Sequence, residues 1–332
     1  MEEESLVLAV SSIEFLNFSE KARLLKELKK IGSGDLGAAL EFLSQATYGQ
    51  VAEISGRDLR RRLGTNAWNP ALLVRRAKAG GAVCKTLGIK IALFGDPEYP
   101  PPLDEIYDPP FALFYRGDIK ALFEKNVSVV GTRSLAPDGK KAAHDFSYQA
   151  AAAGFCVVSG LAWGADGWAH KGAIDAFFEK KTRGVKTAAV LAGGVDNIFP
   201  PSHKGIAKTI IQNGGVILSE CPPGVPAEKW RFVQRNRIIA ALSPGTLVVQ
   251  APPGSGAMIT ADFALGYNRE LFFHEACFSK EAKTLSDMVF KRLMARSGAA
   301  AQKKIEFRPE KYVLDGAKVV KNFDDFIKML VL

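Results

Sequence analysis

The stretch Val127-Ser-Val-Val-Gly-Thr-Arg133, followed by Val157-Val-Ser-Gly-Leu-Ala-Trp-Gly-Ala-Asp166, holds the clearest chemistry of the chain. Each is an apolar run that stops at glycine and hydroxyl residues just before a helix-like segment. At such a turn backbone N–H groups are free and the next helix presents its positive end. A guanidinium such as that of Arg133 adds formal charge. The combination suits phosphate, either of a nucleotide or of a nucleic acid. Further apolar runs end alike, in Gly193-Gly194 with Asp196, in Ser219-Glu220 and before Gly254-Ser255-Gly256. Glycine lets backbone approach a ligand and hydroxyls add donors, so Gly131, Thr132, Ser159, Gly160, Ser255 and Gly256 are candidate lining residues. One such turn also arises for steric reasons alone, whereas a series at one sheet edge lines a common rim.

Arg235-Asn236-Arg237 opens an apolar helical run, from which the guanidiniums either face that rim or lock a salt bridge against the sheet. Catalytic groups are sparse. Asp166 and His170 are spaced for an orienting hydrogen bond on one helix face. His144, His170, His203 and His274 lack the spacing of a zinc motif, so no metal is expected. No G-x-G-x-x-G follows the first strand and no G-x-x-x-x-G-K-[ST] occurs, which disfavours NAD and P-loop nucleotides and leaves no cofactor expected. Ser159 and Ser255 lack the surroundings of a nucleophile elbow.

The elements that must hold these residues follow from periodicity. Strands are expected at 127–130, 155–159, 187–192, 215–219 and 246–250, with helices near 138–153, 165–178, 202–212 and 231–242. Such alternation builds right-handed βαβ units, and near-continuous Val/Ile/Leu/Ala strands fit a parallel sheet covered on both faces. Before it, Leu16, Leu24, Leu25 and Leu28, then Leu36 to Leu43, Arg57 to Leu63 and Leu72 to Cys84, predict short amphipathic helices. Arg60, Arg61, Arg62, Arg75 and Arg76 there form either a solvated face or a nucleic-acid contact. The prolines of Asp96-Pro-Glu-Tyr-Pro-Pro-Pro102 and Asp108-Pro-Pro110 predict an extended connector. Residues 279–311 look irregular and basic, and Gly316 to Leu330 looks helical.

Lys and Arg total 44 against 35 Asp and Glu, a net charge of +9 that favours a polyanionic partner or a solvated basic surface. Cys84, Cys156, Cys221 and Cys277 are scattered with no C-x-x-C, as expected of buried thiols in a reducing compartment. The acidic start Met-Glu-Glu-Glu-Ser is unlike a signal or transit peptide, and no apolar run reaches the roughly 18 residues of a membrane span. The cytoplasm is the expected location.

The motifs in order resemble the bacterial DNA-processing protein A (DprA, or Smf) family over roughly residues 95–275. They are Tyr99-Pro-Pro-Pro-Leu-Asp-Glu-Ile106, Pro109-Pro-Phe-Ala-Leu-Phe-Tyr-Arg-Gly-Asp118, Val130-Gly-Thr-Arg133, Ser159-Gly-Leu-Ala-Trp-Gly-Ala-Asp-Gly-Trp-Ala-His170 and Ala189-Val-Leu-Ala-Gly-Gly-Val-Asp-Asn-Ile-Phe-Pro-Pro201. Gly214-Gly-Val-Ile-Leu-Ser-Glu220, Phe232-Val-Gln-Arg-Asn-Arg-Ile-Ile239 and Ser255-Gly-Ala-Met-Ile-Thr-Ala261 follow, with Leu314-Asp-Gly-Ala317 as a closing element. The resemblance implies an α/β fold: a small N-terminal helical (SAM-like) domain at 1–92 and an extended Rossmann-like domain at 93–332, with no C-terminal winged helix. It further implies a homodimer that binds single-stranded DNA without catalysis and loads RecA during natural transformation. On this expectation Arg133 grips backbone phosphate, Ser159, Gly160 and Ser255 shape the pocket, and Lys204 makes a second phosphate contact. Three departures stand out. Trp163 replaces the usual basic residue and offers a stacking surface, a proline is missing between Phe232 and Arg235, and the Pro-Gly beyond the last strand is replaced around Glu275-Ala-Cys-Phe278. The alternative is a Rossmann-like nucleotide phosphoribohydrolase, whose Pro-Gly-Gly-x-Gly-Thr-x-x-Glu motif is not found.

Overall fold

The computed structural model describes residues 2–58, 68–295 and 306–330. The chain opens with five helices, α1 (Glu2–Ser11), α2 (Phe18–Ile31), α3 (Leu36–Gln45), α4 (Tyr48–Ser55) and α5 (Pro70–Leu87). Local chemistry sets their starts. Asn17 and Glu20 form a capping box on α2, Thr47 and Gln50 another on α4, and Asp35 and Asn69 cap α3 and α5. Leu24, Leu25 and Leu28 form the buried stripe of α2. Arg60, Arg61 and Arg62 lie outside the described residues, while Arg75 and Arg76 are exposed on α5.

A nine-stranded sheet follows, in the order β1-β2-β6-β5-β4-β3-β7-β8-β9. Its strands are β1 (Lys90–Leu93), β2 (Ala112–Gly117), β3 (Asn126–Val130), β4 (Cys156–Ser159), β5 (Thr187–Val190), β6 (Val216–Ser219), β7 (Gly245–Val248), β8 (Glu270–His274) and β9 (Lys318–Val320). β3 to β9 run parallel where they pair, while β2 is antiparallel to both β1 and β6. The fold is therefore Rossmann-like with an antiparallel extension. The five expected strands form its centre. The expectation for 187–192 overruns, because Leu191 onward leaves the sheet as a loop. The outer strands β1, β2, β8 and β9 escaped the sequence reading, and β1 carries the sheet back into the segment assigned to the helical domain.

Crossover helices α6 (Pro137–Ala152), α7 (Ala165–Phe178), α8 (Lys204–Gln212) and α9 (Lys229–Ala241) match the predicted alternation, and α10 (Gly256–Gly266) adds a helix that the sequence reading did not place. The segment 279–311 departs from it: α11 (Lys280–Met294) is a helix capped by Ser279, and α12 (Pro309–Leu314) follows. Lys and Arg in a helix leave its apolar phase unchanged, so charge was the wrong guide there. The stretch from Gly316 splits into β9 and a last helix, α13 (Phe323–Met329), rather than one helix. In the proline segment Pro101–Leu103 makes one tight helical turn, and Tyr99 is buried with its hydroxyl donating to Pro110 O at 2.7 Å. It packs as core, not as a bare connector.

On one face of the sheet, Val127 and Val129 of β3 pack under Phe146 of α6, Ala169 of α7 and Phe323 and Phe326 of α13. On the other, Ile238 of α9 and Met258 of α10 cover Val158 and Val190. Leu6, Leu24 and Leu40 of the helical segment share one continuous core with Phe114, Leu161, Val195 and Ile217. β3 lies between β4 and β7, so the strand order reverses there. This is where open α/β sheets place ligands, beyond the carboxyl ends of the strands. α11 lies across that crevice, leaving a cavity of about 270 Å³ lined by Thr132, Gln250, Pro252, Leu285 and Arg292.

Candidate nucleic-acid interface

Helices α6 to α10 all begin where strands β3 to β7 end, and none has a side-chain cap hydrogen bond. By contrast α2 to α5, α11 and α13 are each capped by Asn, Asp, Thr or Ser. An uncapped helix start carries unsatisfied N–H donors and a partial positive charge. The carboxyl edge of this sheet concentrates five such starts, although at α7 the N–H groups of Ala165 and Gly167 already donate to Thr132 O and Ala162 O.

A buried framework fixes the loops at that edge. Arg235, 4% exposed, reaches from α9 to donate to Gly160 O at 2.7 Å and to Val190 O, joining the ends of β4 and β5. Burial lowers its basicity to about 10 and the neighbouring Asp166 charge opposes that, so it stays a cation at neutral pH. Asp166 is buried in the first turn of α7 and accepts from Ala162 N at 3.3 Å. Burial raises its pKa, and Arg235 and the loop N–H groups pull the other way. Asp166 and His170 do not pair, contrary to the spacing argument. His170 Nδ1 lies 2.8 Å from Thr187 Oγ1. That hydroxyl donates to Val157 O, so the ring carries its proton on Nδ1. Tertiary partners won over the helical spacing. His203 adds a link at 2.9 Å to Leu161 O, tying the loop after β5 to the loop after β4.

Above this framework lies a row of rings and cations, exposed at Trp163, Phe199 and Arg133 and half-buried at Phe232. The Arg133 guanidinium sits 5.1 Å over the Phe232 ring, and no carboxylate among the described residues is within ion-pair distance of it. Phe232 is 5.8 Å from Phe199, which is 6.2 Å from Trp163. Trp163 Nε1 donates to Ser202 Oγ at 3.2 Å, which fixes the indole. Lys204 and Lys229 are exposed at the starts of α8 and α9.

Gly164 brings the loops after β3 and β4 together. It holds φ 77° and ψ −127°, and an added Cβ would lie 2.2 Å from Thr132 O and 2.6 Å from Arg133 Cα. Gly164→Ala is therefore expected to cost about 1–3 kcal/mol from backbone strain alone, with the clash added. Urea unfolding measures it. A variant as stable as the parent would mean the loops do not touch.

The other candidates fall in distinct places. Gly131 lies under the rim, where a Cβ would meet Ala165 Cβ at 2.7 Å, and Thr132 N donates to Gln250 O at 2.7 Å. Ser159 is fully buried and its hydroxyl donates to Val129 O at 2.7 Å, so it joins strands. Ser255 precedes α10 with an unpartnered hydroxyl among the described residues, beside exposed Gly256. Asn236 Nδ2 donates to Gly256 O at 3.2 Å, which holds α9 against the start of α10. Arg237 is 7% exposed and bonds Glu220 at 2.5 Å, with Asp108 at 3.4 Å. Of the sequence candidates, the structure brings Arg133 and Trp163 into one exposed row. Phe199, Phe232 and Lys229 were without roles in the sequence reading. An aromatic at a helix start reads as core, and only its exposure betrays it.

A sequence model for DNA recombination-mediator protein A matches residues 90–330. The chain belongs to this family. Among relatives, the DNA processing protein DprA of Bacillus subtilis is 38% identical over 192 residues, 58% of this chain and 62% of that protein. Protein Smf of Escherichia coli is 40% identical over 174 residues, 52% of this chain and 45% of that protein. The chain thus spans about half to three-fifths of the length of these relatives. The X-ray structure of DprA from Streptococcus pneumoniae superposes with a TM-score of 0.67 at 26% identity, covering 100% of this chain and 99% of that one. A Helicobacter pylori DNA processing protein A, described for its single-stranded DNA binding mode, matches with a TM-score of 0.54 at 25% identity, over 73% of this chain and 95% of its own.

Proposed function

We propose that this protein is a non-catalytic, cytoplasmic recombination mediator that binds single-stranded DNA at the carboxyl edge of its sheet. On this reading, which takes its partners from what the resemblance implies, it acts as a homodimer and delivers the strand to RecA during DNA uptake. The observation that carries the DNA reading is Arg133: exposed, free of carboxylates among the described residues and seated on Phe232 beside uncapped helix starts. Lys204 and Lys229 supply further phosphate contacts on either side. Four unpaired, buried cysteines fit a reducing compartment. Among the described residues no helix is long and apolar enough to cross a membrane.

The phosphoribohydrolase alternative is not favoured. It needs a carboxylate facing a ligand, yet Asp166 is buried against Ala162 N and Glu220 is bonded to Arg237. Arg133→Ala is expected to weaken binding of all single-stranded sequences alike. It should also flatten the dependence of log affinity on log salt by about 0.7, the loss of one phosphate contact on a single strand. Anisotropy titration of labelled oligo-dT at several salt concentrations reads both. An unchanged affinity removes Arg133 from the site.

A further inference from the structure

We propose that the exposed rings of Trp163 and Phe199, backed by the half-buried Phe232, form a shelf on which neighbouring bases of an extended strand stack, so that bases as well as phosphates hold the DNA. The inference rests on the single-stranded DNA reading and assigns the base-contacting part of that site. Trp163 and Phe199 are 49% and 42% exposed, although rings of this size are ordinarily buried. Nothing apolar among the described residues covers them, and the Ser202 hydrogen bond holds the indole in place. The shelf ends at Arg133, whose guanidinium lies on the Phe232 ring, so a phosphate and a base meet at one point.

The spacing selects the ligand. The Trp163 and Phe199 centroids are 6.2 Å apart with their planes inclined by 56°, whereas bases in a stacked strand lie parallel and rise about 3.4 Å each. A duplex cannot lay successive bases on successive rings, because its bases are both stacked and paired. A stretched, unstacked single strand can. Oligo-dT, which stacks on itself weakly, is therefore bound more tightly than oligo-dA, which must first unstack. Trp163 also stands where a cation is expected from the resemblance, so a stacking contact replaces an ionic one and lowers the salt sensitivity of binding.

The experiment compares oligo-dT with an abasic oligonucleotide of equal length, titrated against the parent protein and the Trp163→Ala/Phe199→Ala double variant. The parent binds dT more tightly than the abasic strand. Each ring removed costs about five- to a hundredfold in dT affinity, while abasic affinity and the salt slope stay unchanged. In parallel, dT quenches tryptophan emission of the parent, and most of that quenching disappears in Trp163→Phe, which keeps a ring there. Equal affinity of the parent for both strands overturns the shelf and leaves the phosphate reading standing, as does a variant that loses both strands in equal proportion. A parent that binds neither strand at low salt overturns the functional reading and the shelf with it.

Discussion

Replacing Arg235 by alanine is expected to destabilise the protein by about 3–5 kcal/mol, from the carbonyls and charge it leaves behind. Its Nη1 donates to both Gly160 O and Val190 O, in a site where neither carbonyl reaches water. Each orphaned carbonyl costs about 1–3 kcal/mol. Asp166 also loses the cation that favours its ionised form. Arg235→Lys is expected to restore only part of the loss, because its ammonium is shorter in reach and more strongly hydrated, hence costlier to bury, than the guanidinium. The check is a double-mutant cycle by urea denaturation. Asp166→Ala combined with Arg235→Ala should cost clearly less than the two single losses added. Strict additivity would show that the two buried groups do not sense each other. The loss should also extend to DNA affinity, since the loop that Arg235 holds carries Trp163.

Acid is expected to weaken the fold through His170. Burial, reinforced by the charges of His203 and Arg235, pushes this imidazole down to about 3 from an ordinary 6.5. The folded protein keeps it neutral while the unfolded chain takes up a proton below pH 6.5. Stability is thus unaffected above pH 6.5, falls as pH drops from 6.5 towards 3, and levels off beyond. The full effect is about 4–5 kcal/mol, at up to about 1.4 kcal/mol per pH unit. Carboxylates titrate in the same window, so the informative quantity is the difference between the parent and His170→Gln. That difference should shift in favour of the variant as pH falls from 7 to 4. A difference independent of pH would sink the assignment.

Much of the centre of this fold was legible in the sequence. β3, β4 and β6 are short apolar runs that stop at glycine or serine, β5 runs on as an apolar stretch to Gly193, and β7 is the apolar core of Gly245 to Val249. Helices fill the gaps between them at the expected spacing. The outer strands were not legible, three of them for separate reasons. β2 hides among prolines, β8 ends on His274 with no glycine to mark it, and β9 has three residues. The site was legible as chemistry but not as orientation. Arg235 and Arg237 sit two apart in the middle of α9, where the sequence places the opening of a helix, and both qualified as phosphate ligands. Their fates depend on partners far along the chain, Gly160, Glu220 and Asp108, which no local pattern reveals. The aromatic row shows the opposite failure. Trp163, Phe199 and Phe232 come from three separate loops and helices, so their adjacency exists only once the sheet has formed.

The shared core of the helical segment and the sheet has a consequence for synthesis. The last of the N-terminal helices ends at Leu87, but the apolar residues that finish covering that core come as late as Ile210 and Ile217. At about 5–20 residues per second, a ribosome takes on the order of ten seconds to deliver them. For that interval Leu6, Leu24 and Leu40 have only the rest of the helical segment to pack against, and the part of their core that the sheet completes is open to chaperones and to neighbouring chains. The same delay applies to the centre of the sheet, since β3 waits for β7, more than a hundred residues later, to gain its second neighbour. Folding of this protein is therefore a late event in translation, and truncated chains ending before β7 are the forms most prone to aggregate.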